Sequence, residues 1–572
     1  MRGILTALLG ENVHIACVPY VFTHCEEAEL NIFFEVLNPA LFPYASRNVW
    51  IPNLEWTYRT WEPYFSMVDE IWVKTHEAHE YLANRNISST YIGWTSMSKG
   101  YADKLRFDRA LVPVGKNIFR NPRPIFQAYL KVQENDPEMY AKLPTLVVQY
   151  NPDHVKVVVP DSISTKVELA TADLKDTEYA ELMKTCGVCI CMSVAEGFGH
   201  AINECMSVGM NLLLSDIAPF HELAGETALY GEILTKIDHP DCFATLVDST
   251  SDSIVNILTQ YVQTPFKEKR KICEAVRDMF EARHTAWIAR MKEVLVPLPP
   301  YSLTASFPKE EDLPDVSIIT LTKNRREFMP LAKYCYLIQS YPEEKLEWII
   351  VDDGEDSIED TLMGIPNVVY VRCSGLTIAQ KRNLGVQKAM YNTLVMMDDD
   401  DVYPENSVLH RVAMLGKEPA KQCGFCTTIP SYDIVQYKSF INVPPMTLHM
   451  SERISEATLI FTRKFWEENL FDESVRIAEG DSFVRGRELQ CREFSPQEVI
   501  VSLVHPKTTS SRKTPEGEPN GCHFGFNEKL FALVSEIGGR LNTSGQIETG
   551  DDASSGASCD GDGHPLATQL PP

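Results

Sequence analysis

The run Asp398–Asp401, within "TLVMMDDDDVYPE", sets four carboxylates side by side directly after an apolar stretch. Adjacent carboxylates repel, so such a run either stays solvated or recruits cations. Its neighbours in the sequence favour recruitment. "VSIITLT" ends on Thr322, "EWIIVDDG" carries Asp352 and Asp353, and "QKRNLGV" carries Lys381 and Arg382. Mg2+ or Mn2+ binds through one or two carboxylates and leaves places for phosphate oxygens. Lysine and arginine then meet the remaining phosphate charge. A solvated acidic loop needs none of these companions.

A second constellation lies upstream, in "CMSVAEGFGHAINECMSVGMNLLLSD". Gly197 and Gly199 follow a strand and precede a helix, which lets backbone amides approach a sugar or phosphate. Glu196 and Glu204 stand eight apart, one in the loop and one in the helix. Lys116 and Arg120, in "PVGKNIFRNPRPIF", suit a metal-free clamp on a diphosphate. Each charge taken alone reads as a solvated face. Their combination does not.

The elements that must position these residues alternate between strands and helices. "TLVVQY", "VKVVV", "VCICMS" and "NLLLSD" are followed by "VSIITLT", "EWIIVDD", "VVYVRC" and "NTLVMMDD". Apolar strands in such an order predict an α/β fold with parallel sheets covered by helices on both faces. Ligands of such sheets bind beyond the carboxyl ends of the strands, where Thr322, Asp352/Asp353 and Asp398–Asp401 all fall. "KRKICEAVRDMFEARHTAWIARMKEVL" predicts a long amphipathic helix closing the first block. A proline-rich, acidic break follows. The chain divides into a short lobe over 1–104, a donor lobe over 105–293, a linker over 294–314, a second α/β domain over 315–545 and a disordered acidic tail over 546–572.

The second block resembles family 2 glycosyltransferases, the inverting GT-A fold. The resemblance runs from "VSIITLTKNR" through "IIVDDG", "QKRNLGV" and "MDDDDVYPENSV" to "AEGDSFV". It implies that Thr322 and Asp353 contact a nucleotide base and that Arg382 lies near the nucleotide. The Asp-x-Asp element falls on Asp398 and Asp400, with Asp400 the first choice of metal ligand and Asp399 reaching the sugar or ribose. The acceptor base matches Asp481, with Glu479 in contention because Gly480 separates a pair that the family keeps adjacent. His505 matches a late histidine near the metal, or else is a polar loop residue, and Asp401 reads as a cap.

Residues of about 105–290 resemble the donor-binding half of family 4 and related GT-B glycosyltransferases. That resemblance implies Glu204 on the ribose hydroxyls, Glu196 on the donor sugar, and the amides of Gly197, Phe198 and Gly199 on sugar or phosphate, without metal. "WIPNLEW" and "VKTHEAHEYL" look family-like, whereas the opening strand of the acceptor lobe is missing from the pattern, so that lobe reads as shortened.

The whole chain has 572 residues, a formal charge of −26 and 15 scattered cysteines. The charge excludes non-specific binding to nucleic acid or anionic membrane. No apolar run is long enough to span a bilayer, and the N-terminus lacks a cleavage site. The cysteines read as buried reduced thiols of a cytoplasmic protein, with a zinc site on Cys186/Cys189 and Cys423/Cys426 the lesser alternative. The expected activity is a bifunctional glycosyltransferase using UDP- or GDP-sugars on a glycan or glycoprotein acceptor. One alternative makes the first block a glycan-binding or docking module. Another, a nucleotidyltransferase, lacks the Gly-rich phosphate loop it would need.

Overall fold

The computed structural model describes residues 14–19, 25–102, 104–171, 174–295, 308–417, 420–508, 513–517 and 524–545. The N-terminal 13 residues, most of the linker and the acidic tail lie outside the described residues, and with them the expectations placed there.

The first block holds two parallel sheets. The smaller runs Asn31–Phe34, Asn48–Ile51, Glu70–Val73 and Thr90–Tyr91 in spatial order. The larger has six strands in the order Ala228–Gly231, Asn211–Ser215, Val188–Cys191, Arg109–Gly115, Thr145–Tyr150 and Val167–Ala170. Its central strands are apolar on both faces because helices cover both, as a parallel sheet requires. The helix Phe266–Leu295 packs Cys273, Val276, Phe280, Trp287 and Met291 inward at helical spacing. One expected strand is absent. "VKVVV" runs as an irregular segment, and Val167–Ala170 takes the sheet edge instead.

The second block is a seven-stranded sheet in the order Val368–Arg372, Leu346–Asp352, Val316–Thr322, Thr393–Met396, Ser455–Thr462, Cys423–Cys426 and Cys491–Glu493. The first four strands are parallel. Ser455–Thr462 is antiparallel to both its neighbours, which corrects the wholly parallel expectation to a mixed sheet. A parallel register aligns Thr322 with Asp352, and Thr393–Met396 lies on the other side of the Thr322 strand. Three strand ends thus meet at one edge.

The small lobe belongs to both blocks. Its Trp50, Trp61 and Phe65 share an apolar cluster with Phe425, Met450 and Phe471 of the second block. Trp61 Nε1 donates to Met446 O at 2.7 Å, and Thr60 Oγ1 donates to Thr447 O at 2.9 Å. Arg453 Nη1 donates to Tyr64 Oη at 3.4 Å. No helix among the described residues is long and apolar enough to cross a membrane. The described cysteines are free thiols, including both Cys-x-x-Cys pairs, which are buried.

One close approach seats the helix Ile378–Lys388 under the acidic edge. A Cβ added at Gly385 would lie 2.6 Å from Ile319 Cγ2 on the neighbouring strand. Gly385→Ala should therefore lower stability by about 1–3 kcal/mol through overpacking, against a helix-propensity gain of about 1 kcal/mol. Urea unfolding measures it, and a variant at least as stable as the parent would contradict this packing.

Candidate active site

At the edge of the second sheet the aspartates leave solvent. Asp399, Asp400 and Asp401 are all buried. One carboxylate oxygen each of Asp398, Asp400 and Asp401 gather within 4.8 Å of one another. This is an all-oxygen donor set of the kind Mg2+ or Mn2+ prefers, so the residues fit such an ion. Asp401 also accepts from Leu503 N at 2.9 Å, tying the site to the strand Ser502–Val504 rather than capping a helix.

The buried charge is balanced by residues from three other parts of the chain. Arg325 Nη1 lies 3.0 Å from Asp399 Oδ1 and 2.7 Å from Asp400 Oδ2. His505 Nε2 donates to Asp400 Oδ2 at 3.1 Å, its tautomer set by Lys507 N donating to Nδ1 at 3.2 Å. Arg382 Nε donates to Glu479 Oε1 at 2.7 Å, while its buried Nη1 has no partner among the described residues. Burial, and then the charge of Asp400, pushes Asp399 up to about 7. Burial also raises Asp398. It opposes ionisation of Asp400 too, but the His505 hydrogen bond and the Arg325 charge hold that carboxyl below its ordinary value.

Beside this cluster an open cavity is lined by Lys323, Asn324, Asp353, Arg372, Cys373 and Gly375. Asp353 accepts from Gly375 N at 2.7 Å and pairs with Lys323 at 3.2 Å. Asp352 does not line it. Its oxygens are taken by Gly354 N, Tyr370 Oη and Arg372 Nη1, so it braces the loop. Thr322 is buried, its Oγ1 without a hydrogen-bond partner among the described residues, and Lys381 is buried, its ammonium pKa lowered by that burial, with Asp353 opposing. The two base candidates part company. Glu479 sits buried on Arg382, and its charge adds to the burial that raises Asp398 and Glu456. Asp481 instead accepts from Ser451 Oγ and pairs with Arg485.

In the first block, Arg120 grips Glu196 through two bonds, 2.5 and 3.0 Å long. Glu204 pairs with Lys99 at 3.1 Å, and Lys99 in turn with Asp176. Arg120, Gly115, Asp176, His200 and Glu204 line a cavity of about 260 Å3. Arg120 belongs to the loop ahead of the helix Arg123–Asn135, and Lys116 is exposed in that loop and outside the cavity lining. Gly199 adopts φ +94° just before the helix His200–Val208, while Phe198 is buried in the apolar cluster. Glu204 is the fifth residue of that helix. Gly197 is packed against Glu55, whose carboxylate would lie 2.2 Å from an added Cβ. Burial raises Glu55 to about 7. His200 is lowered to about 3 by burial and then by Lys74 and Arg120, so its ring stays neutral.

Arg325, Lys323, Arg372 and Glu456 in one block, and Glu55, Lys74, Lys99 and Asp176 in the other, were not singled out from the sequence. "TLTKNRREF" and "WIPNLEW" carried the signal for Arg325 and Glu55, since each stretch stood out without its charged residue being assigned.

Residues 317–472 match the family model described as glycosyl transferase family 2. The chain thus carries a family 2 glycosyltransferase domain, GT-A-like in its fold, over this span. The matched span includes Thr322, Asp352, Asp353, Lys381, Arg382 and Asp398–Asp401, and ends before Glu479, Asp481 and His505. No curated protein matches the sequence. Among solved structures, residues 1–349 of S. aureus TarS are 15% identical, with 33% of this chain and 60% of that one covered and a TM-score of 0.27. The mannosyltransferase PcManGT from Pyrobaculum calidifontis, solved with GDP-Man and Mn2+, is 14% identical, with 44% and 80% covered and a TM-score of 0.28. TarM is 12% identical, with 46% and 54% covered and a TM-score of 0.34. The chain thus spans under two thirds of TarM and of the TarS fragment.

Two outcomes follow from these charges. Arg325→Gln should destabilise the chelator-treated protein by about 3 kcal/mol, the scale of a broken buried ion pair; an unchanged urea midpoint would mean that the aspartates need no such cation. Glu55 has a folded pKa above its ordinary 4.5, so the folded state holds its proton longer. It therefore subtracts stability progressively as pH rises from about 4.5 to about 7, and fully above that. In thermal melts, Glu55→Gln should gain on the parent across this window and hold a constant lead beyond it. A lead independent of pH would show that the carboxyl does not titrate there.

Proposed function

We propose that the chain is a bifunctional glycosyltransferase, inverting and metal-dependent in its second block, retaining and metal-independent in its first. The convergence of Asp398, Asp400 and Asp401 beside the Asp353 cavity carries the reading for the second block. There Asp353 and Thr322 hold the nucleoside, with UDP favoured over GDP, and Asp399 reaches toward ribose or sugar. Asp398 and Asp400, with Asp401 and His505 beside them, would hold Mn2+ or Mg2+. Such an ion neutralises charge on a departing diphosphate. Arg325, Lys381 and the free Nη1 of Arg382 add donors for the same phosphates. Asp481 takes the proton of the acceptor hydroxyl as that oxygen attacks the anomeric carbon and the nucleoside diphosphate leaves. Glu479, spent on Arg382, orients that arginine.

For the first block the support is the pairing of Arg120 with Glu196 at the mouth of a cavity that also holds Glu204. This GT-B reading makes 1–104 the acceptor lobe and 105–293 the donor lobe. Arg120 and Lys116 serve the diphosphate, Glu204 the ribose, and Glu196 with the amides of Gly197 to Gly199 the donor sugar. The product of one site is the acceptor of the other, on one cytoplasmic glycan or glycoprotein. In a second reading the first block only binds glycan, which the engagement of Glu196 by Arg120 and of Glu204 by Lys99 also permits.

Donor turnover over UDP-, GDP- and dTDP-sugars, with Mn2+ or with chelator, separates these readings. Asp400→Ala should remove a chelator-sensitive activity by at least about 100-fold, the scale of one lost transition-state charge contact. Glu204→Ala should remove a chelator-resistant one. Full activity in Asp400→Ala would refute the metal site, and a single activity indifferent to Glu204 would leave the first block as a binding module.

A further inference from the structure

Behind Asp481, the residue read as acceptor base, lies a chain of short contacts. Ser451 Oγ touches two groups at once. It donates to Asp481 Oδ1, and His449 Nδ1 lies 2.7 Å from it. Ser451 is only 1% exposed, so bulk water does not share these bonds. Asp481 is more open, and its Oδ1 also takes Arg485 Nε at 2.9 Å. Oδ2 takes part in none of these bonds and is the oxygen left for an acceptor hydroxyl. The segment carrying His449 and Ser451 is pinned from the first block, where Trp61 Nε1 and Thr60 Oγ1 donate to Met446 O and Thr447 O.

The hydrogens do not suffice for both contacts. A hydroxyl has one hydrogen to give, and an ionised carboxylate only accepts. His449 Nδ1 also accepts, because Ser451 N donates to it at 3.3 Å. That places the ring proton on Nε2, which faces Glu488 Oε1 at 3.8 Å. The ring stays neutral at ordinary pH. Burial and then the charge of Arg485 hold His449 below its usual 6.5, against the opposing charges of Glu488, Asp481 and Glu452. Asp481 and His449 therefore compete for the single hydrogen of Ser451. While Asp481 is ionised its charge wins, since hydrogen bonds to charged groups are the stronger ones. Once Asp481 carries a proton, its remaining oxygen is a poorer acceptor than an imidazole nitrogen, and the hydroxyl turns. His449 also caps the short turn Met450–Arg453 through the Ser451 N–H, a role that needs no hydroxyl.

We propose that Ser451 is a two-position positioning residue for the acceptor base, its hydroxyl bonded to the Asp481 carboxylate before transfer and to His449 Nδ1 after it. The inference rests on the reading of Asp481 as that base. The acceptor O–H breaks as its oxygen bonds to the anomeric carbon, and the nucleoside diphosphate leaves with the electron pair of its bond to that carbon. The proton ends on Asp481 Oδ2. Ser451 keeps its own hydrogen throughout and swings it from Oδ1 to Nδ1. Without His449 the hydroxyl has nowhere else to go, holds the carboxylate in its ionised form and opposes the proton transfer.

Nitrogen-15 NMR of the full chain, labelled at histidine, tests the switch without turnover; the His449 signals are those lost in His449→Asn. At about pH 8, above the titration range of histidine, the ring should be the Nε2–H tautomer. Asp481→Asn, a neutral stand-in for the protonated base, should move the Nδ1 signal upfield as that atom gains the hydroxyl. Adding Ser451→Ala should abolish the move. An Nδ1–H tautomer, or a move that survives Ser451→Ala, overturns the proposal.

Turnover supplies the second readout. In the chelator-sensitive reaction of the nucleotide-sugars, His449→Leu should lower kcat about 10-fold with KM unchanged, the scale of one hydrogen bond in the transition state. In a Ser451→Ala background the same substitution should cost nothing further. A capping role alone would cost the same in both backgrounds, because the backbone N–H at position 451 remains. His449→Asn, which keeps an acceptor at the place of Nδ1, should retain kcat, and circular dichroism checks that each variant folds. Equal losses in both backgrounds overturn the switch and leave Asp481 as the base. Full turnover in Asp481→Asn overturns the reading of the base itself.

Discussion

Burying consecutive carboxylates at one strand end is the constraint around which the second block is arranged. Coulomb repulsion between them grows as water is removed, and the fold meets it with cations from separated segments. Arg325 comes from the loop after the Val316–Thr322 strand, Arg382 from the helix Ile378–Lys388 ahead of the Thr393–Met396 strand, and His505 from the far end of the block. The parallel register brings the ends of the Val316–Thr322 and Thr393–Met396 strands side by side, within reach of Arg325, while His505 arrives from the separate sheet that ends on Ser502–Val504. The same register leaves Asp353 facing its cavity while Asp352 is consumed in holding the loop. Sheet order and charge balance are therefore one requirement seen from two sides.

The first block meets a similar difficulty with fewer charges. Glu196 is buried against Arg120, and Glu204 is mostly buried against Lys99, so neither acid stands alone. Glu55 makes no ion pair among the described residues, and burial makes its carboxyl keep its proton to higher pH. Pairing and protonation are the two ways a folded chain tolerates buried acid, and this block uses both within one loop's reach.

Much of the architecture was legible in the sequence because apolar strands of five to seven residues repeat between amphipathic helices. "TLVVQY", "VSIITLT" and "EWIIVDD" form strands as their composition dictates. "VKVVV" has the same β-branched content, but Pro152 and Pro160 bracket it, Val155, Val157 and Val159 are only partly buried and Val158 is exposed, so no ladder forms. The antiparallel course of Ser455–Thr462 was not legible, since a strand buried on both faces looks alike in either direction. At the site, the acids announced themselves by their local spacing. Their cations did not, because Arg325 and Lys99 pair across 74 or more residues and lone basic residues are common everywhere on a chain. Glu55 lay hidden for another reason: only the closed packing against Gly197 shows that its carboxyl is out of water.

The small lobe's Trp61 and Tyr64 reach across to Met446 and Arg453, and its aromatic residues complete an apolar cluster that the second sheet cannot close alone. The segment matched by family likeness and the segment able to stand on its own are consequently different pieces of chain. A fragment trimmed to the glycosyltransferase domain would lay bare Phe425, Met450 and their neighbours as a sticky face. For this protein the smallest self-sufficient body includes residues more than two hundred positions upstream of the domain it supports.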